Sequence, residues 1–106
     1  MKILFDQGTP VPLRNHLSPH AVETAYEKGW SDLNNGDLLT RAEADDFDAL
    51  ITTDQNLRYQ QNLLARRISV IVPMTTSWPR IRNHAGLVVQ ALNELRPGSY
   101  AEITFP

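Results

Sequence analysis

Short apolar or alternating runs and segments of helical periodicity follow one another along the whole chain. The short apolar or alternating runs are typical of strands and cover residues 2–5, 20–26, 49–52, 68–72 and 100–105. Apolar residues recur at helical spacing near 12–17, 37–46, 57–64 and 80–95, and prolines or glycines separate the segments. Because parallel neighbours must be joined by crossovers, this alternation predicts an α/β domain: a three-layer sandwich with a mainly parallel central sheet.

Acidic residues follow two of the predicted strands. Asp6 comes directly after the first strand and Asp54 comes just after the third, so a parallel sheet places both at one edge. Asp37, at the start of a predicted helix, is a candidate for a third oxygen. Carboxylates gathered at an edge favour Mg²⁺ or Mn²⁺, which can activate water for attack on a phosphodiester. Turn formation for Asp6 and Asp54, and helix capping for Asp37, are the structural alternatives.

The composition limits the other possibilities. A chain of 106 residues with 42% hydrophobic residues is expected to form a single domain over residues 1–106. It has no cysteine, and its apolar runs are too short for a membrane span, so we expect a cytoplasmic protein without a membrane partner. The net charge of −2 provides no overall attraction to nucleic acid. His16, His20 and His84 lack the spacing of a zinc site.

Three segments carry a resemblance to a known family. They are residues 1–7 (MKILFDQ), 35–39 (NGDLL) and 51–57 (ITTDQNL). Their order and spacing resemble those of the short bacterial PIN-like domains related to VapC-type toxin nucleases and to Mut7-C domains. The resemblance covers about residues 1–75, and the remainder fits as a final helix and strand.

The resemblance implies a PIN-like fold and a Mg²⁺- or Mn²⁺-dependent ribonuclease, the toxin of a toxin–antitoxin pair. Asp6, Asp37 and Asp54 would be the metal ligands and catalytic residues of this hydrolase. RNA would be its substrate, and a small antitoxin or a second copy of the chain would be its protein partner. The third segment departs from the family pattern, because Asn56 stands where a second acid is usual. Asparagine contributes no negative charge, so weaker metal binding is expected.

Further residues near the acids are candidates for supporting roles. Thr53 is expected to orient Asp54, while Gln7 and Asn56 are expected to hold a phosphate or a water. Arg58 and Tyr59, one helical turn beyond Asp54, are candidates for contacting the RNA backbone and stacking on a base, although they also suit a solvated helix face.

Two other functions remain open. The first is a PIN-like domain with weakened catalysis that acts by binding a protein or RNA, and Asn56 is the observation that favours it. The second is a phosphoaspartate domain of the receiver or haloacid-dehalogenase type. A receiver needs a lysine after its last strand, whereas the only lysines are Lys2 and Lys28. The phosphatase type needs a second aspartate where Gly8 stands.

Overall fold

The fold is built on one five-stranded sheet in which all neighbouring strands are parallel. A computed structural model describes residues 1–106. The strands are β1 (Lys2–Phe5), β2 (Ala21–Thr24), β3 (Ala49–Ile51), β4 (Ser69–Pro73) and β5 (Tyr100–Ile103). They lie in the order β2-β1-β3-β4-β5, with β1 and β3 as central neighbours. The predicted α/β class and parallel sheet are confirmed.

Helices connect the strands and cover both faces of the sheet. The α-helices are α1 (Ala25–Lys28), α2 (Asn35–Ala44), α3 (Leu57–Gln60), α4 (Trp78–Asn83) and α5 (Ala85–Asn93). Two 3₁₀ helices cover Val11–His16 and Leu63–Ala65. None of these helices combines the length and the apolar character that crossing a membrane requires.

The core forms two layers, because successive side chains of a strand point to opposite faces of the sheet. On β3, Ile51 packs into one layer and Leu50 into the other. The Ile51 layer is shared with the 3₁₀ helix at Val11–His16 and with α4 and α5, whereas the Leu50 layer is shared with α1, α2 and α3. All five residues of β4 are buried, as expected for a strand covered on both faces.

The second strand is shorter than predicted. It ends at Thr24, and the next four residues form α1 instead of extending the strand to Tyr26. The reason is a capping box: the Thr24 hydroxyl accepts a hydrogen bond from the Glu27 backbone N–H, and the Glu27 carboxylate accepts one from the Thr24 N–H. Gly29, in the left-handed conformation at φ 76°, then ends α1.

Two predicted helices are also divided. The helix predicted near residues 80–95 is interrupted at His84, whose backbone angles of φ −135° and ψ 35° lie outside the helical region. Its buried stripe nevertheless continues across the break, with Ile81 on α4 and Val88 on α5 in the same layer. After β3, the helix stops at Gln60 because Gln61 is extended.

Candidate functional site

The carboxyl ends of β1 and β3 form the point where the chain connections diverge. The chain leaving β1 runs to β2 on one side, and the chain leaving β3 runs to β4 on the other. In doubly wound sheets, ligands bind in the crevice that such a divergence opens. Asp6 and the loop that contains Asp54 follow these two strands, so the candidate site lies at this edge.

One buried hydroxyl joins the two acidic segments. Thr52 is fully buried, and its Oγ1 donates a hydrogen bond to Asp6 Oδ2 at 2.8 Å. The same oxygen accepts a hydrogen bond from the Asp54 backbone N–H at 3.1 Å. The other oxygen of Asp6, Oδ1, accepts from the Gln7 N–H at 2.8 Å. The Asp6 carboxylate is therefore held in one orientation beside the Asp54 loop.

The Asp54 carboxylate is fixed by its own loop and by α2. Its Oδ1 accepts a hydrogen bond from the Asn56 N–H at 2.9 Å, and its Oδ2 accepts one from Asn35 Nδ2 at 2.8 Å. Asn35 also donates to Gln60 Oε1 at 3.3 Å, which ties α2 to the end of α3. The side chain that α2 directs toward Asp54 is thus an amide.

Asp37 is not joined to this pair. Its carboxylate is exposed, and it contributes to α2 through its backbone N–H, which donates to Asn34 Oδ1 at 2.8 Å. Asn34 is therefore the cap of α2, in place of Asp37. No three His, Cys, Asp or Glu side chains are grouped so as to hold a metal ion. A role for Asp37 as a metal ligand stays a prediction from the sequence.

The two loops touch at Gly8 and Thr53. A Cβ atom added at Gly8 would clash with Thr53 Oγ1, so any other residue at position 8 would require the Thr53 side chain to move. Thr53 therefore packs against the loop after β1, and Thr52 instead holds the Asp54 backbone. The side chains of Gln7 and Asn56 are exposed and make no hydrogen bond within the protein.

Arg58 and Tyr59 form a separate cluster with β5. The Arg58 guanidinium lies 4.6 Å from the centre of the Tyr59 ring and 5.6 Å from that of Tyr100, and it hydrogen-bonds to the Tyr59 hydroxyl. It also pairs with Glu102 at 3.4 Å. Burial, together with a hydrogen bond to Glu102, raises the pKa of Tyr100 to about 12. The charge of Arg58 is thus already balanced within the protein.

The carboxylates of Asp6 and Asp54 keep acceptor positions that hydrogen bonds within the protein do not use. Mg²⁺ in proteins is commonly bound through one or two carboxylates, with waters completing the shell. Asp6 and Asp54 each accept two hydrogen bonds. A carboxylate offers about four acceptor positions, so each retains the capacity to bind a cation. Two carboxylates with open acceptor positions are thus present at the edge, and a Mg²⁺ or Mn²⁺ site there stays a prediction.

The sequence analysis missed two residues of this edge, Thr52 and Asn35. Each lies within two positions of a predicted residue, and only the tertiary contacts identify the residue that reaches the site. Thr52 ends an apolar run, and this position is the one signal that marks it as buried. No family model, no curated protein and no solved structure matches this chain.

Proposed function

We propose that this domain is a PIN-like, metal-dependent ribonuclease in which Asp6 and Asp54 bind Mg²⁺ or Mn²⁺. The observation that carries the proposal is the Thr52 hydroxyl, which links Asp6 to the Asp54 loop at the divergence of β1 and β3. Asp54 also forms the turn typical of an aspartate after a strand, through the Asn56 N–H, and the Thr52 hydroxyl adds a contact between the two acidic segments. The resemblance to VapC-type toxins extends the proposal to an RNA-cleaving toxin with a small antitoxin as its partner.

The residues of the edge would have different roles in binding a metal ion and a phosphate. When bound, a divalent ion would polarise a phosphoryl oxygen and acidify a water. Thr52 and Asn35 hold the two carboxylates in fixed orientations, so binding requires little reorganisation. Gln7 and Asn56 have unpaired amide groups at the surface, which can donate hydrogen bonds to a phosphate oxygen.

The test is cleavage of a labelled single-stranded RNA pool by the purified protein with Mn²⁺ and with EDTA. Asp6→Asn and Asp54→Asn each remove one charge from the edge and are expected to abolish cleavage. Asp46→Asn is the matched control: Asp46 is exposed, lies between α2 and β3, and has a positive φ of 62° that asparagine tolerates. Cleavage that persists in EDTA, or in both edge variants, would refute the proposal.

A specific observation favours a second candidate, a PIN-like module with weakened catalysis that binds RNA or protein. The residues that contact Asp54 carry amides instead of acids: Asn35 donates to its carboxylate from α2, and Asn56 lies two positions after it. Mn²⁺ binding separates the candidates, because a ligand that binds only the folded state raises stability. A nuclease gains stability with Mn²⁺ and loses that gain in Asp6→Asn. In a weakened module, Asn56→Asp is expected to create or enlarge the gain.

A further inference from the structure

A cleft of about 330 Å³ lies on the far side of Asp6 from Asp54, between the carboxyl ends of β1 and β2. This volume is at the lower end of the range of ligand pockets, which is about 300–1,000 Å³. The residues that line the cleft include Asp6, Gln7, Val11, Arg14, Tyr26 and Glu27. Because Asp6 also belongs to the candidate site, the cleft and the acidic edge form one continuous surface.

The walls of the cleft include exposed apolar groups. Tyr26 is 79% exposed and Val11 is 53% exposed, and these are two of the five large hydrophobic residues on the surface. The capping box between Thr24 and Glu27 fixes the backbone of Tyr26, because it holds both ends of the first turn of α1. An exposed aromatic ring on such a backbone is available for stacking on a ligand.

Arg14 and Glu27 form an ion pair beside these walls. Arg14 contacts the Glu27 carboxylate through both terminal nitrogens, with Nη1 to Oε2 at 3.1 Å and Nη2 to Oε1 at 2.8 Å. The Nε–H of Arg14 is buried and has no partner in the protein. Because this atom is not exposed to the cleft, Arg14 contributes to the wall through its ion pair with Glu27.

The charged residues that line the cleft do not favour the binding of a phosphate group there. Asp6 and Glu27 oppose the single positive charge of Arg14, which leaves the lining without surplus positive charge. An aromatic ring, an aliphatic wall and the Gln7 amide instead suit a flat, neutral heterocycle with polar edges. Nucleobases that are free of a duplex have this chemistry, and proteins bind them by stacking on aromatic side chains.

We infer that the cleft binds one nucleobase of single-stranded RNA, stacked on Tyr26 beside the Asp6/Asp54 edge. The inference rests on the proposed function for its choice of RNA, and it names the residues that hold the strand. It differs from the sequence prediction, which assigned base stacking to Tyr59. Tyr59 is also exposed, at 72%, but its neighbour Arg58 is paired with Glu102 and lies against β5.

The experiment measures the dissociation constant of a fluorescent single-stranded RNA oligomer by anisotropy, with EDTA present so that binding is read without metal-dependent cleavage. Tyr26→Ala is expected to weaken binding about ten-fold, the usual size of one lost base stack. Tyr26→Phe keeps the ring and is expected to bind like the wild type. Tyr59→Ala is the matched control at a second exposed tyrosine, and it is expected to have no effect. Melting temperatures check that each variant is folded.

Each outcome decides a separate question. RNA binding that depends on Tyr26 without any metal-dependent cleavage would overturn the nuclease and keep the base site. Cleavage by a protein whose RNA affinity is unchanged in Tyr26→Ala would overturn the base site and keep the nuclease. A loss of affinity in Tyr59→Ala alone, equal affinity for duplex RNA, or no RNA binding by the wild type would each contradict the inference.

Discussion

At the scale of single residues, the group that joins the two acidic segments of the edge is an uncharged hydroxyl. The Thr52 hydroxyl uses its one proton on Asp6 and one lone pair on the Asp54 N–H, within a fully buried environment. Asp6 and Asp54 both depend on this hydroxyl, because a buried amide N–H without an acceptor costs free energy comparable to that of a lost hydrogen bond. Thr52 thus positions the Asp6 carboxylate and the backbone of Asp54.

Thr52→Val tests this role because valine keeps the shape of threonine and removes the hydroxyl. We expect the free energy of unfolding to fall by about 1–3 kcal/mol, the cost of leaving a buried polar group unsatisfied. Urea titration followed by circular dichroism measures it. Thr52→Ser, which retains the hydroxyl, separates the loss of the hydrogen bonds from the loss of a methyl group. If the valine variant is as stable as the wild type, the hydroxyl is not the organising group.

The sequence located the two acidic segments but not the contacts that complete them. Asp6 and Asp54 could be placed at one edge because they follow strands, and strand direction decides which edge they share. The choice between Asn35 and Asp37 depended on where α2 begins, and Asn34, as its cap, turns Asn35 toward Asp54. A one-residue change in a helix start rotates a side chain by about 100°, which a sequence pattern rarely resolves.

At the scale of elements, the short helix α1 links fold and candidate binding site. It has only four residues, too few for a helix to be stable by itself. The Thr24-Glu27 capping box and the Arg14-Glu27 ion pair therefore hold it in place. The capping-box pattern, a threonine followed three residues later by a glutamate, was the signal in the sequence that α1 replaces the end of a strand.

Glu27→Gln tests the ion pair through the pH dependence of stability. The hydrogen bond from Arg14, together with the one from the Thr24 backbone, holds the pKa of Glu27 below its ordinary value of 4.5. The unfolded chain therefore binds a proton more readily, so the contribution is present above pH 4.5 and is lost as pH falls through the folded-state pKa. We expect the variant to be less stable than the wild type at neutral pH and to approach it in acid.

Thermal melting at a series of pH values measures this difference. A gap between wild type and Glu27→Gln that stays constant into acid would show that the charge of Glu27 does not contribute. Because the glutamine side chain of the variant keeps an oxygen that can accept from the Thr24 N–H, the capping box is retained and the comparison isolates the pair with Arg14.

The strands were easier to predict than the helices for a physical reason. Central parallel strands are buried on both faces, so β1, β3 and β4 appear as short, mainly apolar runs. Helix ends instead depend on local contacts. The break at His84 leaves the apolar stripe of α4 and α5 unchanged, so the periodicity of the sequence is the same for one helix as for two.

At the scale of the whole molecule, the two core layers share every central strand. Ile3 and Phe5 of β1 face one layer, while Leu4 faces the other. Neither layer can lose its packing without exposing one face of the same sheet, so we expect the domain to unfold as one cooperative unit. The candidate site lies at the edge that both layers support.

The two tryptophans allow this expectation to be tested layer by layer. Trp78 packs against the layer of Ile51 and Trp30 against that of Leu50, so Trp30→Phe and Trp78→Phe each leave one reporter. We expect the fluorescence transition of either protein in urea to coincide with its own circular dichroism transition. Adding Leu50→Ala should lower the free energy of unfolding by about 2–5 kcal/mol, because it leaves a cavity in one layer of the shared sheet. The transitions of both tryptophans should then shift equally. If Leu50→Ala shifts the Trp30 transition and leaves that of Trp78 in place, the layers unfold separately, and the Asp6/Asp54 edge is then joined across two units of unequal stability.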